Sequence, residues 1–220
     1  MTQTPAPSRF AHVTQWVFDL DNTLYAPQAR LFDQVEVKMT DFMMRTLGLD
    51  QARANHLRHH YWTLYGTTLA GLMHEHDIEP EQFLVEVHDI NLEHLTPDPA
   101  LRDGIAALPG QKIVFTNGSA PYARRVLAAR GLSNLFDGVY GVEDADFHPK
   151  PTPQAYQAIF DKAGISPDVA AMFEDDPRNL VVPHARGMQT IHVAPQALLA
   201  DHITDHTSDL AEFLAQIHLR

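Results

Sequence analysis

Residues 17–25 read VFDLDNTLY, and this stretch decides the architecture. An apolar run from Val13 to Phe18, with Thr14 and Gln15 inside it, stops at two carboxylates, Asp19 and Asp21, separated only by Leu20. Asn22, Thr23 and Leu24 follow. A short apolar run ending in turn-forming polar residues predicts a buried strand. In an open α/β sheet, ligands bind in the crevice beyond the carboxyl ends of the strands, which places both aspartates at its mouth. Carboxylates so close repel each other unless a cation lies between them or one keeps a proton. Either arrangement points to chemistry rather than scaffolding. A calcium loop is excluded, because an EF-hand needs Gly at its sixth position and Glu at its twelfth. Counted from Asp19, this chain has Leu24 and Arg30 there.

Working outward, the start of the chain reads as disordered and the first strand runs over 13–18. From about Gln28 to Leu95 the texture is helical. Leu31, Val35, Met39, Phe42 and Met43 recur at helical spacing, with Gly48 as a stop. Segments 57–64 and 69–73 continue it, with Gly66 and Gly71 as breaks, and Pro80 opens a further helix through Phe83, Leu84 and Val87. From Thr96 strands and helices alternate. A helix over 98–108 precedes a strand over 112–115, and Ser119 caps a helix that Gly131 ends. A short strand follows at Val139 and Tyr140, then a helix opened by Thr152 and Pro153 and closed by Gly164. A strand over 169–173, a helix opened by Asp176 and Pro177, a last strand over 189–193 and a terminal helix over 208–219 complete the reading. Alternation of this kind predicts a parallel sheet with right-handed crossovers. The predicted division is an α/β core of residues 1–26 and 96–220, with a small all-helical cap of residues 27–95 inserted after the first strand.

At 220 residues the chain is long enough for a substantial core with such an insert. A net charge of −12 argues against a nucleic acid polymer as partner, since backbone binding needs clustered Lys and Arg. A small phosphate ester needs only one or two local cations. The chain has no cysteine, so disulfide and thiol chemistry are out, which is compatible with the cytoplasm. The first ten residues, MTQTPAPSRF, lack the basic start and apolar run of a signal peptide. No apolar run approaches the roughly 18–20 residues that span a bilayer. A cytoplasmic protein without a membrane partner is the expectation.

Three further motifs follow DLDNT in order: FTNGS at 115–119, HPKP at 148–151 and FEDDPRNL at 173–180. Together they resemble the phosphatases of the haloacid dehalogenase (HAD) superfamily. The longer stretches DLDNTLY, YGTTLAGLMHEHDI (65–78), IVFTNGSAPYARRVL (113–127) and HPKPTPQAY (148–156) are similar to the pyrimidine 5′-nucleotidase branch, over about residues 16–193. The resemblance implies a HAD-type Rossmann-like core, a central parallel sheet flanked by helices with the first and fourth strands adjacent. It also implies Mg²⁺-dependent hydrolysis of a phosphate monoester through an aspartyl-phosphate. The partner implied is a small phosphorylated metabolite, a nucleoside monophosphate such as UMP or CMP. By the same resemblance Asp19 is the nucleophile, and Asp21 protonates the leaving alcohol and then deprotonates water. Thr116 and the backbone N–H groups of Asn117 and Gly118 hold the transferring oxygens. Lys150, between Pro149 and Pro151, neutralises charge on the phosphoryl group and on Asp19. Asp19, the backbone carbonyl of Asp21, and Asp175 ligate the metal, with Glu174 and Asn179 orienting its waters. The family's usual Gly-Asp is Glu174-Asp175 here, and its second acid is Asn179. Thr23 is expected to fix the loop and Asp176 to cap the next helix. Tyr65, Gly66 and Leu72 are the candidates by which the cap reads the substrate.

The remaining signals are weaker. His56 and His60 sit at i, i+4 spacing without a third ligand and read as an exposed polar face, while His74 and His76 diverge. His148, beside Lys150, is the histidine retained as a functional candidate. Tyr61, Trp62 and Tyr65 read as a core cluster, the alternative being that one of them lines the substrate pocket. Phosphoglycolate or a sugar phosphate is the alternative substrate, and a phosphosugar mutase would keep all four motifs. A carbon–halogen hydrolase needs the nucleophile but no second acid, so Asp21 with Asp175 argues against it. A non-catalytic binding member would be expected to have lost Asp19 or Lys150.

Overall fold

Strand β1 (Gln15–Phe18) lies inside a six-stranded, wholly parallel sheet in a computed structural model that describes residues 9–217. It pairs with β2 (Gln111–Phe115) on one side and β4 (Ala170–Glu174) on the other, with Phe18 opposite Val114 and Phe173. β3 (Gly138–Tyr140) lies outside β2, and β5 (Gln189–Val193) and β6 (Asp205–Thr207) lie outside β4. The first and fourth strands are therefore neighbours at the centre.

Helices cover both faces, so the central strands are apolar on both sides. Trp16 and Phe18 face a core built with Phe173, α5 (Pro99–Ala107), α6 (Ala120–Ala129) and α9 (Leu210–Gln216). Phe18 and Phe173 stack there with centroids 4.7 Å apart. Val17 faces the opposite core with Ile113, Met172 and α7 (Pro153–Ala163), and α8 (Val181–Ala185) follows β4. Between β1 and β2 the chain leaves the sheet for α1 (Leu31–Leu47), α2 (Gln51–Tyr65), α3 (Thr68–His76) and α4 (Pro80–Val87), which pack on one another. Phe42 and Phe83 meet edge to face at 5.1 Å inside this group. Gly48 ends α1 in the left-handed conformation, φ 66°, and Asp50 caps α2 through the N–H of Arg53.

Four details differ from the sequence reading. Gly71 does not break a helix but lies inside α3, where its missing Cβ lets Tyr61 pack against the backbone. The last strand is β6, whose three half-buried residues Asp-His-Thr carry no apolar run to announce it. Thr152 precedes α7 but its hydroxyl donates to the Pro149 carbonyl (2.6 Å) instead of capping the helix. Asp176 and Pro177 open a 3₁₀ turn, Pro177–Leu180, before α8 begins. The disordered reading of residues 1–8 and the end of the terminal helix at 218–220 lie outside the described residues. Among the described residues no helix is long and apolar enough to cross a membrane.

Candidate active site

β1 delivers Asp19 to the carboxyl edge of the sheet, where its N–H still donates to the Phe173 carbonyl at 2.9 Å. The chain then turns, with Leu24 N–H bonded to the Leu20 carbonyl. The Asp19 carboxylate is buried and held at both oxygens. Lys150 Nζ donates to Oδ1 at 2.8 Å and Thr23 Oγ1 donates to Oδ2 at 3.1 Å. Thr23 thus fixes the loop by gripping the carboxylate itself. Lys150 is 1% exposed and also donates to Glu174 Oε2 (2.6 Å) and the Phe115 carbonyl (2.9 Å). One ammonium therefore ties together the tips of β1, β2 and β4, and its three donors are all taken. Burial opposes its charge, but Asp19 and Glu174 outweigh that and hold Lys150 above its ordinary value. Asn117 anchors the lysine's backbone in both directions, Nδ2 to the carbonyl at 3.0 Å and Oδ1 from the N–H at 2.8 Å.

Around this ion pair, ligand oxygens of Asp19, Glu174 and Asp175 lie within 4.8 Å of one another. Three carboxylates face one lysine. Burial first and the charge of Asp19 second push both Glu174 and Asp175 above the usual carboxylate range. Asn22 Nδ2 reaches Asp175 Oδ2 at 3.2 Å, and Glu174 Oε1 accepts the Asp176 N–H at 3.2 Å. Asn179 is buried and its Oδ1 has no partner among the described residues. An all-oxygen, anionic donor set beside an orphaned amide oxygen fits a hard divalent cation with bound water. Glu174, expected to orient metal-bound water, is a member of this carboxylate cluster.

Thr116 sits buried at the tip of β2, its N–H on the Tyr140 carbonyl at 3.0 Å. Its Oγ1 accepts the N–H of Gly118 at 2.9 Å. That N–H therefore closes a turn rather than standing open toward a ligand, and the Thr116 hydroxyl keeps its own proton to donate. Asp21 accepts two hydrogen bonds at Oδ1, from Tyr25 (2.6 Å) and Tyr122 (2.8 Å). Burial and then the charge of Asp19 push Asp21 up to about 6.

Asp19, Asp21, Thr116, Lys150 and Asp175 all line one cavity of about 390 Å³. Its far wall comes from all four inserted helices and includes Glu36, Arg58, Trp62 and, at the end of α4, His88. Of the cap candidates only Gly66 lines this space, with φ 87°, and a Cβ there would stand 3.3 Å from the Lys150 carbonyl oxygen. Leu72 is fully buried in the helical core, and Tyr65 turns away to hydrogen-bond Glu75. Of the three aromatics Trp62 is the one that lines the cavity, with the Arg178 guanidinium 3.7 Å over its ring, while Tyr61 is core. His148 is exposed and lies outside the lining. His88, Glu36, Arg58, Tyr25 and Tyr122 were not singled out from the sequence. Tyr25 stood in the decisive stretch, but its partner Tyr122 lies about a hundred residues away.

Residues 16–181 match the haloacid dehalogenase-like hydrolase family. Phosphate metabolism protein 8 of Saccharomyces cerevisiae is 28% identical over 174 residues, 72% of this chain and 54% of that protein. The chain thus spans about half the length of that relative. Fructose-1-phosphate phosphatase YqaB of Escherichia coli is 26% identical over 127 residues, 55% of this chain and 66% of that protein. The HAD phosphatase from Thermococcus onnurineus superposes with a TM-score of 0.60 at 17% identity, over 91% of this chain and 96% of that one, a likeness of fold alone. With three quarters of its length matched by the family and the carboxylate cluster at the expected edge of the sheet, the chain belongs to the haloacid dehalogenase-like hydrolases.

Proposed function

We propose that the protein is a Mg²⁺-dependent phosphate-monoester hydrolase that works through an aspartyl-phosphate in the cytoplasm, with residues 27–95 as a cap over a core of 1–26 and 96–220. The observation that carries this reading is one cavity holding a fixed carboxylate, Asp19, beside a second, Asp21, pushed up to about 6. An Asp19 oxygen attacks phosphorus and the ester P–O bond breaks, while Asp21 gives its proton to the leaving oxygen. Water then attacks the phosphorus of the acyl phosphate and gives a proton to Asp21. Inorganic phosphate leaves, and both aspartates return to their starting states. A carboxyl with a value near the working pH suits both directions of transfer. Thr116 donates to the transferring oxygens, and Lys150 supplies charge to Asp19 without a donor to spare. Asp19, the Asp21 carbonyl, Asp175 and Glu174 would hold Mg²⁺, with Asn179 on its water. Bound there, the ion offsets the repulsion between an anionic nucleophile and an anionic ester.

A pyrimidine nucleoside monophosphate is the substrate we favour. The stacked rings of His59 and Trp62, 5.6 Å apart, and the Glu36–Arg58 pair at 2.7 Å give the far wall a flat surface beside a donor–acceptor edge. A sugar phosphate is the second reading, favoured by the likeness to a fructose-1-phosphate phosphatase. A panel of UMP, CMP, AMP, phosphoglycolate and sugar phosphates, scored by kcat/KM, tests both. UMP and CMP are expected to lead; equal rates throughout refute the nucleotidase and keep the phosphatase. EDTA should stop turnover and Mg²⁺ restore it. Asp19→Asn should retain less than about a few per cent of activity while staying folded.

A further inference from the structure

Two phenols converge on a single oxygen. Tyr25, at the end of the nucleophile loop, and Tyr122, in the first turn of α6, both donate to Oδ1 of Asp21, at 2.6 and 2.8 Å. Both rings are 2% exposed. Each phenol has one O–H, and in both it is spent on this carboxyl oxygen. Each carboxyl oxygen accepts in two lone-pair directions, and the two phenols fill both on Oδ1. Oδ2 takes no hydrogen bond among the described residues, and Asp21 lines the cavity.

We infer that Tyr25 and Tyr122 are positioning residues for proton transfer, locking Asp21 so that Oδ2 alone carries the proton between leaving oxygen and water. An unclamped carboxyl rotates about its Cβ–Cγ bond and exchanges its two oxygens, so that only part of its population presents a proton along the reacting direction. The clamp removes that freedom before substrate arrives, the kind of orientation that raises rate without adding a contact to the ester. It is itself held from the inserted helices. The Tyr122 ring lies flat on His88, centroids 4.4 Å apart and planes at 6°. His88 Nδ1 is 3.1 Å from Ser119 Oγ, and that hydroxyl oxygen accepts the Tyr122 N–H at 3.4 Å. The proton-bearing atom is thus fixed by β1's loop, by α6 and by the residue that ends α4.

The inference rests on the phosphatase reading, and the leaving group separates the two. An alkoxide needs the proton from Asp21 to depart, whereas p-nitrophenolate leaves without one. The measurement is kcat/KM of Mg²⁺-loaded protein for p-nitrophenyl phosphate and for the alkyl phosphate that the native chain turns over fastest. Tyr25→Phe and Tyr122→Phe each keep one phenol and the ring. Each is expected to lower the alkyl-to-aryl ratio by about tenfold or more, because the step that needs the proton is hit selectively. In an Asp21→Asn background, Tyr122→Phe should change the alkyl rate by less than about twofold, as two residues acting through one group are not additive. Equal losses on both esters, or a full further loss in the Asp21→Asn background, would reduce the tyrosines to fold stabilisers and overturn the clamp. If the native chain hydrolyses neither ester, the phosphatase reading falls and the clamp with it.

Discussion

Lys150 shows how much of this site depends on one side chain. Its ammonium lies between Asp19 and Glu174, both buried with it, and its third donor holds the β2 carbonyl. Removing one partner of a buried ion pair leaves the others uncompensated, at roughly 3–5 kcal/mol. Lys150→Met should therefore lower stability by about that amount in urea melts run in EDTA, and saturating Mg²⁺ should recover part of it. A loss below about 1 kcal/mol in EDTA would mean that the two carboxylates relax into water once the lysine is gone. His88 sets a second residue-scale expectation. Burial, reinforced by the nearby Arg125, lowers it to about 4 against 6.5 when unfolded. Below 6.5 the unfolded chain takes up a proton that the folded chain refuses, so stability is full above pH 6.5 and falls toward pH 4. The loss is about 3 kcal/mol from this group. His88→Asn should flatten that part of the stability–pH curve, and an unchanged slope would assign it elsewhere. At this scale the motif residues were legible because their order along the chain is informative. The Tyr25–Asp21–Tyr122 contact and the Glu36–Arg58 pair were not, since nothing local marks residues that meet only after folding.

At the scale of elements, the sequence reading is good where periodicity is long and poor where an element is short or a glycine is ambiguous. α1, with its apolar stripe and its Gly48 stop, was readable. β6 was not, because three polar residues on an edge strand look like loop. Gly71 illustrates a glycine selected for space rather than for a turn. A Cβ there would fall 2.3 Å from Tyr61 Cγ, inside any allowed contact. Gly71→Ala gains helix propensity of about 1 kcal/mol, but forcing α3 off α2 costs about 1–3 kcal/mol. A net loss in thermal melts is expected. A stabilised variant would show that the two helices separate without resistance.

At the scale of the whole molecule, three of the contacts between the inserted helices and the loops of the sheet lie at the rim of the cavity. Gly66 lies against the Lys150 loop, His88 stacks on Tyr122, and Trp62 lies under Arg178. The third is the most exposed, Trp62 being 41% accessible, and the one tied to the carboxylate cluster along the chain. Arg178 stands in the turn after Asp175 and is clamped by Asp176 at 2.6 and 3.0 Å, so its guanidinium cannot follow the indole if α2 swings away. A cation–π contact at an exposed site contributes about 0.5–1 kcal/mol. That is small beside the stability of a domain, which is about 5–15 kcal/mol, yet 1 kcal/mol shifts a two-state opening about fivefold. Trp62→Ala should therefore leave the melting temperature within a few degrees, speed amide exchange in α2, and raise KM by about fivefold with a smaller change in kcat. Arg178→Lys, which keeps the charge but not the flat guanidinium, should reproduce most of the exchange effect. If exchange in α2 and KM are both unmoved by Trp62→Ala, the helices are held without this contact, and this edge of the cavity does not open.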